Sequence, residues 1–365
     1  MEQLPVQEFA YVELYVGNAK QAAYVYEHAY GFTPVAYAGP ETGQRDRASY
    51  VMQQGDIRIV LTAPMTPTGP IAEHVAKHTD GVRDVAMVTD DVTGTYETAI
   101  ERGAEAVEKP QVLEDENGTV EMATIATFGD TVHTFFDDSN YDGVFRPGYE
   151  ALPGAEEVNE GVGLLRIDHT VGNVEDGEME TWASFYEDVF GFQRFLDFDE
   201  DDISTEYSAL RSVVMANESL GIKIPVNEPA EGKKKSQIQE YLDFYPGPGI
   251  QHLAITTDDI VHTIAEMRDR HVDFLEAPDA YYEMLEDRIP ADHIDEAIDA
   301  LEELGILVDE DESGYLLQLF TNPIQDRPTV FFEIIQRKGA EGFGKGNFKA
   351  LFESIEKEQE KRGNL

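Results

Sequence analysis

Residues 251–260 read QHLAITTDDI, and residues 83–92 read RDVAMVTDDV. The likeness continues at the same separation, with RGAEAVEKP at 102–110 against RHVDFLEAP at 270–278. In each copy a short apolar run ends at Thr-Asp-Asp and is followed by apolar residues at helical spacing. An aspartate at the mouth of a helix accepts from the free N–H groups of its first turn. Asp258 or Asp259 is therefore expected to start a helix running to about Arg270, with Ile260, Ile264 and Met267 on one face. A strand, a polar turn and a helix thus occur twice in the same order.

Two further pairs extend the pattern. YVGNAKQAAYVYEHAYGF (15–32) matches TVGNVEDGEMETWASFYEDVFGF (170–192), the second copy being five residues longer, and DTVHTFFDD (130–138) matches RPTVFFEII (327–335). A helix from about Glu180 to Val189 sets Trp182, Phe185, Tyr186 and Val189 on one stripe. Short strands follow each helix, such as 208–217 and 220–226. The unit is β-α-β-β with one more strand, and four copies start near residues 10, 82, 164 and 250. This is an α+β chain of tandem βαβββ modules, two to each half. The halves are expected at 1–150 and 160–365, joined by the Gly-, Pro- and acid-rich stretch 141–163. The segment 279–313 reads as an acidic, helical insert, with a helix near 292–303 ended by Gly305. A last helix over 347–361, capped by Asn347, aligns Phe348, Leu351, Phe352 and Ile355. Glycines 339, 342, 344 and 346 precede it, as a hinged lid would require.

The 365 residues suit about two domains. There is no cysteine, which removes disulfides, thiolate metal sites and cysteine nucleophiles. With 27 basic and 73 acidic residues the formal charge is −46. A disordered acidic tail would be poor in aromatics, yet 41% of the chain is hydrophobic, 10% is aromatic, and the acids are spread throughout. A folded protein with an acidic surface remains, of the kind a halophile needs, because molar salt shortens the Debye length to about 3 Å. Binding along a phosphate backbone is not expected. No run of 18 apolar residues marks a membrane span. The N-terminus lacks the basic region of an export signal, so the expected location is the cytoplasm.

Without thiols, metal chemistry falls to His, Asp and Glu. His28, His74, His78, His262, His271 and His293 lie in helical or polar stretches and suggest no site. His169 and His252 are different, because each lies on the first strand of a unit among apolar neighbours. Glu333 lies between Phe331 and Ile335 on one strand face. A carboxylate in such surroundings costs several kcal/mol unless it is paired or bound to a metal. Two imidazoles and one carboxylate form the facial triad that leaves three positions open on Fe(II), although Zn and Mn accept the same set. In the N-terminal half the matching positions are read as Leu14, Asp84 and Asp137, so that half is expected to be structural and metal-free.

At these residues the chain resembles the 4-hydroxyphenylpyruvate dioxygenase family of the vicinal-oxygen-chelate superfamily. The resemblance is carried by IDHTVGN (167–173), VNEP (226–229), KSQIQEYL (235–242), GPGIQHLA (247–254), LLQLFTNP (316–323), RPTVFFEIIQRKG (327–339) and GFGKGNFKALFESIE (342–356). It implies two open barrels, with one Fe(II) per chain on His169, His252 and Glu333 of the C-terminal barrel. Ser212, Asn227, Gln237, Gln251 and Gln318 match the family's substrate pocket. Phe331, Phe343 and Phe348 match its aromatic wall, with Phe320 beside them. The implied partners are an aromatic 2-oxo acid and O2, and the implied assembly is a homodimer or homotetramer. The implied reaction gives homogentisate and CO2. The related 4-hydroxymandelate synthases use the same substrate but tend to carry an aliphatic residue at the position of Phe348; the aromatic here, and Pro225, favour homogentisate. Extradiol ring cleavage would need further basic groups, and no further histidine lies in a matching motif. A non-catalytic aromatic-acid binding module would not require an intact triad.

Overall fold

The computed structural model describes residues 2–155, 158, 160–199 and 209–364. The strands of the N-terminal half are β1 (Phe9–Tyr15), β2 (Thr33–Ala38), β3 (Arg47–Gln54), β4 (Ile57–Pro64), β5 (Gly81–Val88), β6 (Ala106–Asp115), β7 (Gly118–Ala126), β8 (Val132–Tyr141) and β9 (Glu150–Ala151). Those of the C-terminal half are β10 (Ile167–Asn173), β11 (Gln193–Phe198), β12 (Ala209–Ala216), β13 (Lys223–Ala230), β14 (Gly249–Thr256), β15 (Leu307–Asp311), β16 (Gly314–Phe320) and β17 (Phe331–Lys338). The helices are α1 (Ala19–His28), α2 (Pro70–His78), α3 (Val92–Glu101), α4 (Met179–Phe185), α5 (Gln237–Phe244), α6 (Ile260–Asp269), α7 (Asp279–Glu283), α8 (Leu285–Arg288), α9 (Ile298–Leu304) and α10 (Phe348–Arg362).

One rule builds both halves. The first strands of two successive modules lie side by side and antiparallel, β1 with β5 and β10 with β14. Each first strand also pairs in parallel with the last strand of its own module: β1 with β4, β5 with β8, β10 with β13 and β14 with β17. The sheet orders are β6-β7-β8-β5-β1-β4-β3-β2-β9 and β11-β12-β13-β10-β14-β17-β16-β15. Two curled sheets of βαβββ modules result, as the repeats led us to expect.

The helix starts follow the polar turns. Asn18 caps α1 through Gln21 N, Asp91 caps α3 through Gly94 N, and Asp259 caps α6 through His262 N. Ile260, Ile264 and Met267 are all buried. The helix expected over 180–189 is α4 continued by a π turn at Tyr186–Phe190, and it stops at Gly191, whose φ of 71° suits glycine. The core is continuous between the halves. Tyr26 and Tyr30 meet Phe332 edge-on at 5.9 and 5.1 Å, and a Cβ on Gly172 would come within 2.4 Å of Phe128. His74 and His78 are buried rather than surface residues, with His78 stacked on Tyr245 at 3.9 Å.

Several expectations are corrected. The segment 279–313 is not wholly an insert, because its end is β15, whose Leu307 pairs with Gln318. The helix expected near 292–303 divides into a short 3-10 turn at Ala291–His293 and α9, which does end at Gly305. The stretch 141–163 is not only a connector, since β9 within it closes the edge of β2. Asn347 precedes α10 without capping it: its Oδ1 accepts from the Tyr281 hydroxyl at 2.7 Å. Ser208, the start of one expected strand, lies outside the described residues; β12 begins at Ala209.

The N-terminal counterparts of the triad also change. Strand register aligns Phe9, Tyr11, Glu13 and Leu14 with Ile167, His169, Val171 and Gly172, including the two register shifts. Across β5–β8 and β14–β17 it aligns Val132 with Phe331 and Phe135 with Ile334. His169, His252 and Glu333 therefore correspond to Tyr11, Asp84 and Thr134, not to Leu14, Asp84 and Asp137. The VGN motifs had suggested otherwise, but Asn18 is a helix cap whereas Asn173 ends a strand.

Candidate metal centre

Three neighbouring strands bring the candidate ligands together. His169 on β10 pairs with Ala254 on β14, and Ala254 pairs with Glu333 on β17. The three form a row across the sheet whose middle member is the smallest. His252 lies two residues before Ala254 and so points to the same side. His169 Nε2 is 3.2 Å and His252 Nε2 is 3.3 Å from Glu333 Oε2. Among the described residues this is the group of three His or acidic side chains placed to hold a metal ion. Donors bonding at about 2.1 Å and at right angles would stand about 3 Å apart, so the separations fit two nitrogens and an oxygen on one face of an octahedron.

Electrostatics agree with the geometry. Burial alone would raise the Glu333 carboxyl, but the charge on His169, with hydrogen bonds from both imidazoles, holds it down at about 2. Burial pulls the His252 pKa down and outweighs the pull of Glu333. It also opposes protonation of His169, where Glu333 and Asp168 win and raise the pKa. A buried carboxylate whose neighbours are two imidazoles is a ready ligand set for a divalent cation, which takes the place of the protons.

Each imidazole is oriented through its other nitrogen. His169 Nδ1 lies 2.7 Å from Asp168 Oδ1, and His252 Nδ1 lies 3.0 Å from Gln251 Oε1. Both pairs direct Nε2 at the common point. Adjacent residues of an extended strand normally face opposite ways, but the register shift between Ile167 and His169 turns Asp168 toward its neighbour. Asp168 also accepts from Arg337 Nη2 and Nε at 2.8 and 2.9 Å and from Lys223 Nζ at 3.2 Å. Burial would raise the Asp168 carboxyl, and its bonds with His169 and Arg337 reverse that and hold it well below the usual range. Sequence reasoning missed Asp168, Lys223 and Arg337; an acid directly before a strand histidine was the available signal.

The triad opens on a cavity of about 80 Å3 lined by Ser212, Asn227, Gln237, Gln251, Phe331, Phe343 and Phe348, together with Phe320. Ser212 and Asn227 are cross-strand partners on β12 and β13. Gln237 begins α5, whose first turn is capped by Ser236. Phe331 stacks on His252 at 4.9 Å, and Phe343 meets His169 edge-on at 4.8 Å. Phe348 meets Phe198 edge-on at 5.2 Å. Gln318 is not among the lining residues. It is buried under Gly344, where a Cβ would come within 2.5 Å of Oε1, and that oxygen has no hydrogen-bond partner. Leu351, Phe352 and Ile355 of α10 complete the wall. They are residues of the stripe read from the sequence.

Comparison with known proteins adds the class. The Glyoxalase/Bleomycin resistance protein/Dioxygenase superfamily profile matches residues 8–141 and 166–319, one match for each curled sheet. The chain is a member of that superfamily. The "4-hydroxyphenylpyruvate dioxygenase" of Yarrowia lipolytica is 47% identical over 367 residues, covering 98% of this chain and 93% of the relative. That of Dictyostelium discoideum is also 47% identical, covering 99% and 100%. A solved mutant of 4-hydroxymandelate synthase from Streptomyces coelicolor superposes with a TM-score of 0.89 at 36% identity, over 97% of this chain and 99% of that one. Within the superfamily, this chain belongs to the 4-hydroxyphenylpyruvate dioxygenase family.

Proposed function

We propose that the chain converts 4-hydroxyphenylpyruvate and O2 to homogentisate and CO2, by oxidative decarboxylation, ring hydroxylation and side-chain migration. The observation that carries this reading is the buried His169–His252–Glu333 triad at the base of a cavity walled by phenylalanines. The full-length relatives support it. His169 Nε2, His252 Nε2 and a Glu333 carboxylate oxygen would hold one Fe(II) per chain, which would supply the redox chemistry that couples decarboxylation to reduction of O2. The substrate's own decarboxylation provides two electrons, so no separate reductant is required, and both oxygen atoms end in products.

The protein's part is orientation and exclusion. Asp168 and Gln251 fix the two imidazoles. Ser212, Asn227 and Gln237 offer hydroxyl and amide groups to the substrate without adding charge. Phe331, Phe343 and Phe348 flank an aromatic ring, and α10 covers it. Excluding water protects reactive oxygen species from side reactions.

The hydroxymandelate synthase fold neighbour makes 4-hydroxymandelate the second reading. Phe348 on the cavity wall favours homogentisate. The test is product analysis after iron-loaded protein is mixed with 4-hydroxyphenylpyruvate. One O2 taken up and one CO2 and one homogentisate released per substrate is the expected result. 4-Hydroxymandelate would move the chain to the second reading, and no oxygen uptake would overturn both. Among the described residues no helix is long and apolar enough to cross a membrane. A cytoplasmic homodimer or homotetramer is the assembly we propose, and light scattering at high salt tests the oligomer.

A further inference from the structure

The N-terminal sheet holds a cavity of about 390 Å3, in the position that the active cavity occupies in the other half. Tyr11, Asp84 and Thr134, the counterparts of the triad, lie on its wall. They have become a hydrogen-bonded set: Asp84 Oδ2 accepts from the Thr134 hydroxyl at 2.7 Å and the Tyr11 hydroxyl at 3.1 Å, and Oδ1 accepts from Thr134 N at 3.1 Å. One carboxylate, a phenol and an alcohol do not make a metal site of the kind seen in the C-terminal half.

Six charged residues line this cavity, and five of them are held by a hydrogen bond or an ion pair. Asp84 is held as above. Glu13 accepts from the Thr62 hydroxyl at 2.5 Å, and Glu108 accepts from Gln111 Nε2 at 3.2 Å. Arg47 is paired with Asp46 at 2.9 Å, and Arg83 donates to the carbonyl oxygen of Asp130. Arg146 is held more loosely. It donates to Met122 Sδ at 3.7 Å and to the Tyr149 hydroxyl at 3.4 Å. Its guanidinium lies over the rings of Phe145 and Tyr149, at 5.2 and 5.3 Å from their centroids. Among the described residues Arg146 makes no ion pair with a carboxylate, and Glu13 and Asp84 act on it only from beyond ion-pair range. A planar fork with free N–H groups, beside aromatic rings, matches a carboxylate bidentately.

We propose that the N-terminal barrel is a second binding site, which takes a small aromatic carboxylate with its anionic group on Arg146. The ring lies among Tyr11, Tyr15 and Tyr149, and no metal takes part. This site is independent of the chemistry in the C-terminal half.

The test is calorimetric titration of the full-length iron-loaded protein with 4-hydroxyphenylacetate at high salt. Wild type is expected to bind two equivalents per chain. Arg146→Gln should lose one of them, or weaken it at least about tenfold, and keep wild-type kcat. Arg146→Lys keeps the charge but not the fork, so it should weaken the same equivalent, and it serves if the Gln variant does not fold. The neutral 4-hydroxyphenylacetamide should not fill the N-terminal site. A single equivalent in wild type, two equivalents unaffected by either substitution, or equal binding of the amide would overturn the proposal.

Discussion

Asp168→Asn isolates the contribution of the residue behind the metal ligands. The amide has the shape of the carboxylate, so packing is kept while one buried charge is removed. Asp168 is 5% exposed and is bonded to His169, Arg337 and Lys223. Two effects follow. Lys223 and Arg337 lose the anion they share, and breaking a buried ion pair from one side costs about 3–5 kcal/mol. Deprotonation of Lys223 relieves part of this, because burial already pulls its pKa down. Independently, His169 loses a charged partner for Nδ1–H, and loss of such a partner lowers metal affinity by about 10–100-fold, or about 1.4–2.8 kcal/mol. The assay is Fe(II) competition against a coloured chelator, paired with denaturant unfolding of the metal-free protein. Glu240→Gln is the control, since Glu240 is also buried and takes a two-pronged pair from Arg362, but hydrogen-bonds none of the three ligands. Glu240→Gln should lose stability and keep metal affinity, while Asp168→Asn should lose both. An Asp168→Asn protein that is destabilised like the control yet binds Fe(II) as wild type does would refute the positioning role.

Asp84→Asn should change the pH dependence of stability. Burial pushes the Asp84 carboxyl from 3.8 up to about 7, so the folded protein keeps a proton that the unfolded chain has released. Wild-type stability therefore loses a contribution as pH rises from about 4 to about 7, and the variant should gain on wild type across that window by up to roughly 4 kcal/mol in unfolding experiments, with little loss of turnover. Unfolding temperature should climb steeply from dilute buffer to molar potassium chloride, because self-repulsion at −46 is then screened; a flat profile would contradict a salt-adapted surface. Arg362→Ala should unpin the end of α10 from Glu240, so limited proteolysis should cut the last helix sooner and substrate KM should rise before kcat falls.

The fold was legible because the module is written four times. QHLAITTDDI and RDVAMVTDDV mark the two strands that pair with β10 and β1, and the caps Asp91 and Asp259 are visible in them. His169, His252 and Glu333 stood out because each interrupts an apolar strand face with a ligand group. What the chain did not reveal depends on partners distant in sequence. Strand register, not motif likeness, decides that Tyr11 and Thr134 correspond to His169 and Glu333, and a three-residue difference in where VGN falls was enough to mislead. β15 hides in an acidic run because its Leu307 and Val308 are buried while Glu310 and Asp311 are exposed. Arg337 reaches Asp168 across 169 residues of sequence, a contact that no local pattern encodes.

The most direct test of the central claim is anomalous diffraction at the iron edge from crystals of Fe(II)-loaded protein. The account predicts one strong peak per chain, about 2.0–2.2 Å from His169 Nε2, His252 Nε2 and a Glu333 carboxylate oxygen. A peak bound by any other residues, or an empty triad in protein that turns over substrate, would contradict it.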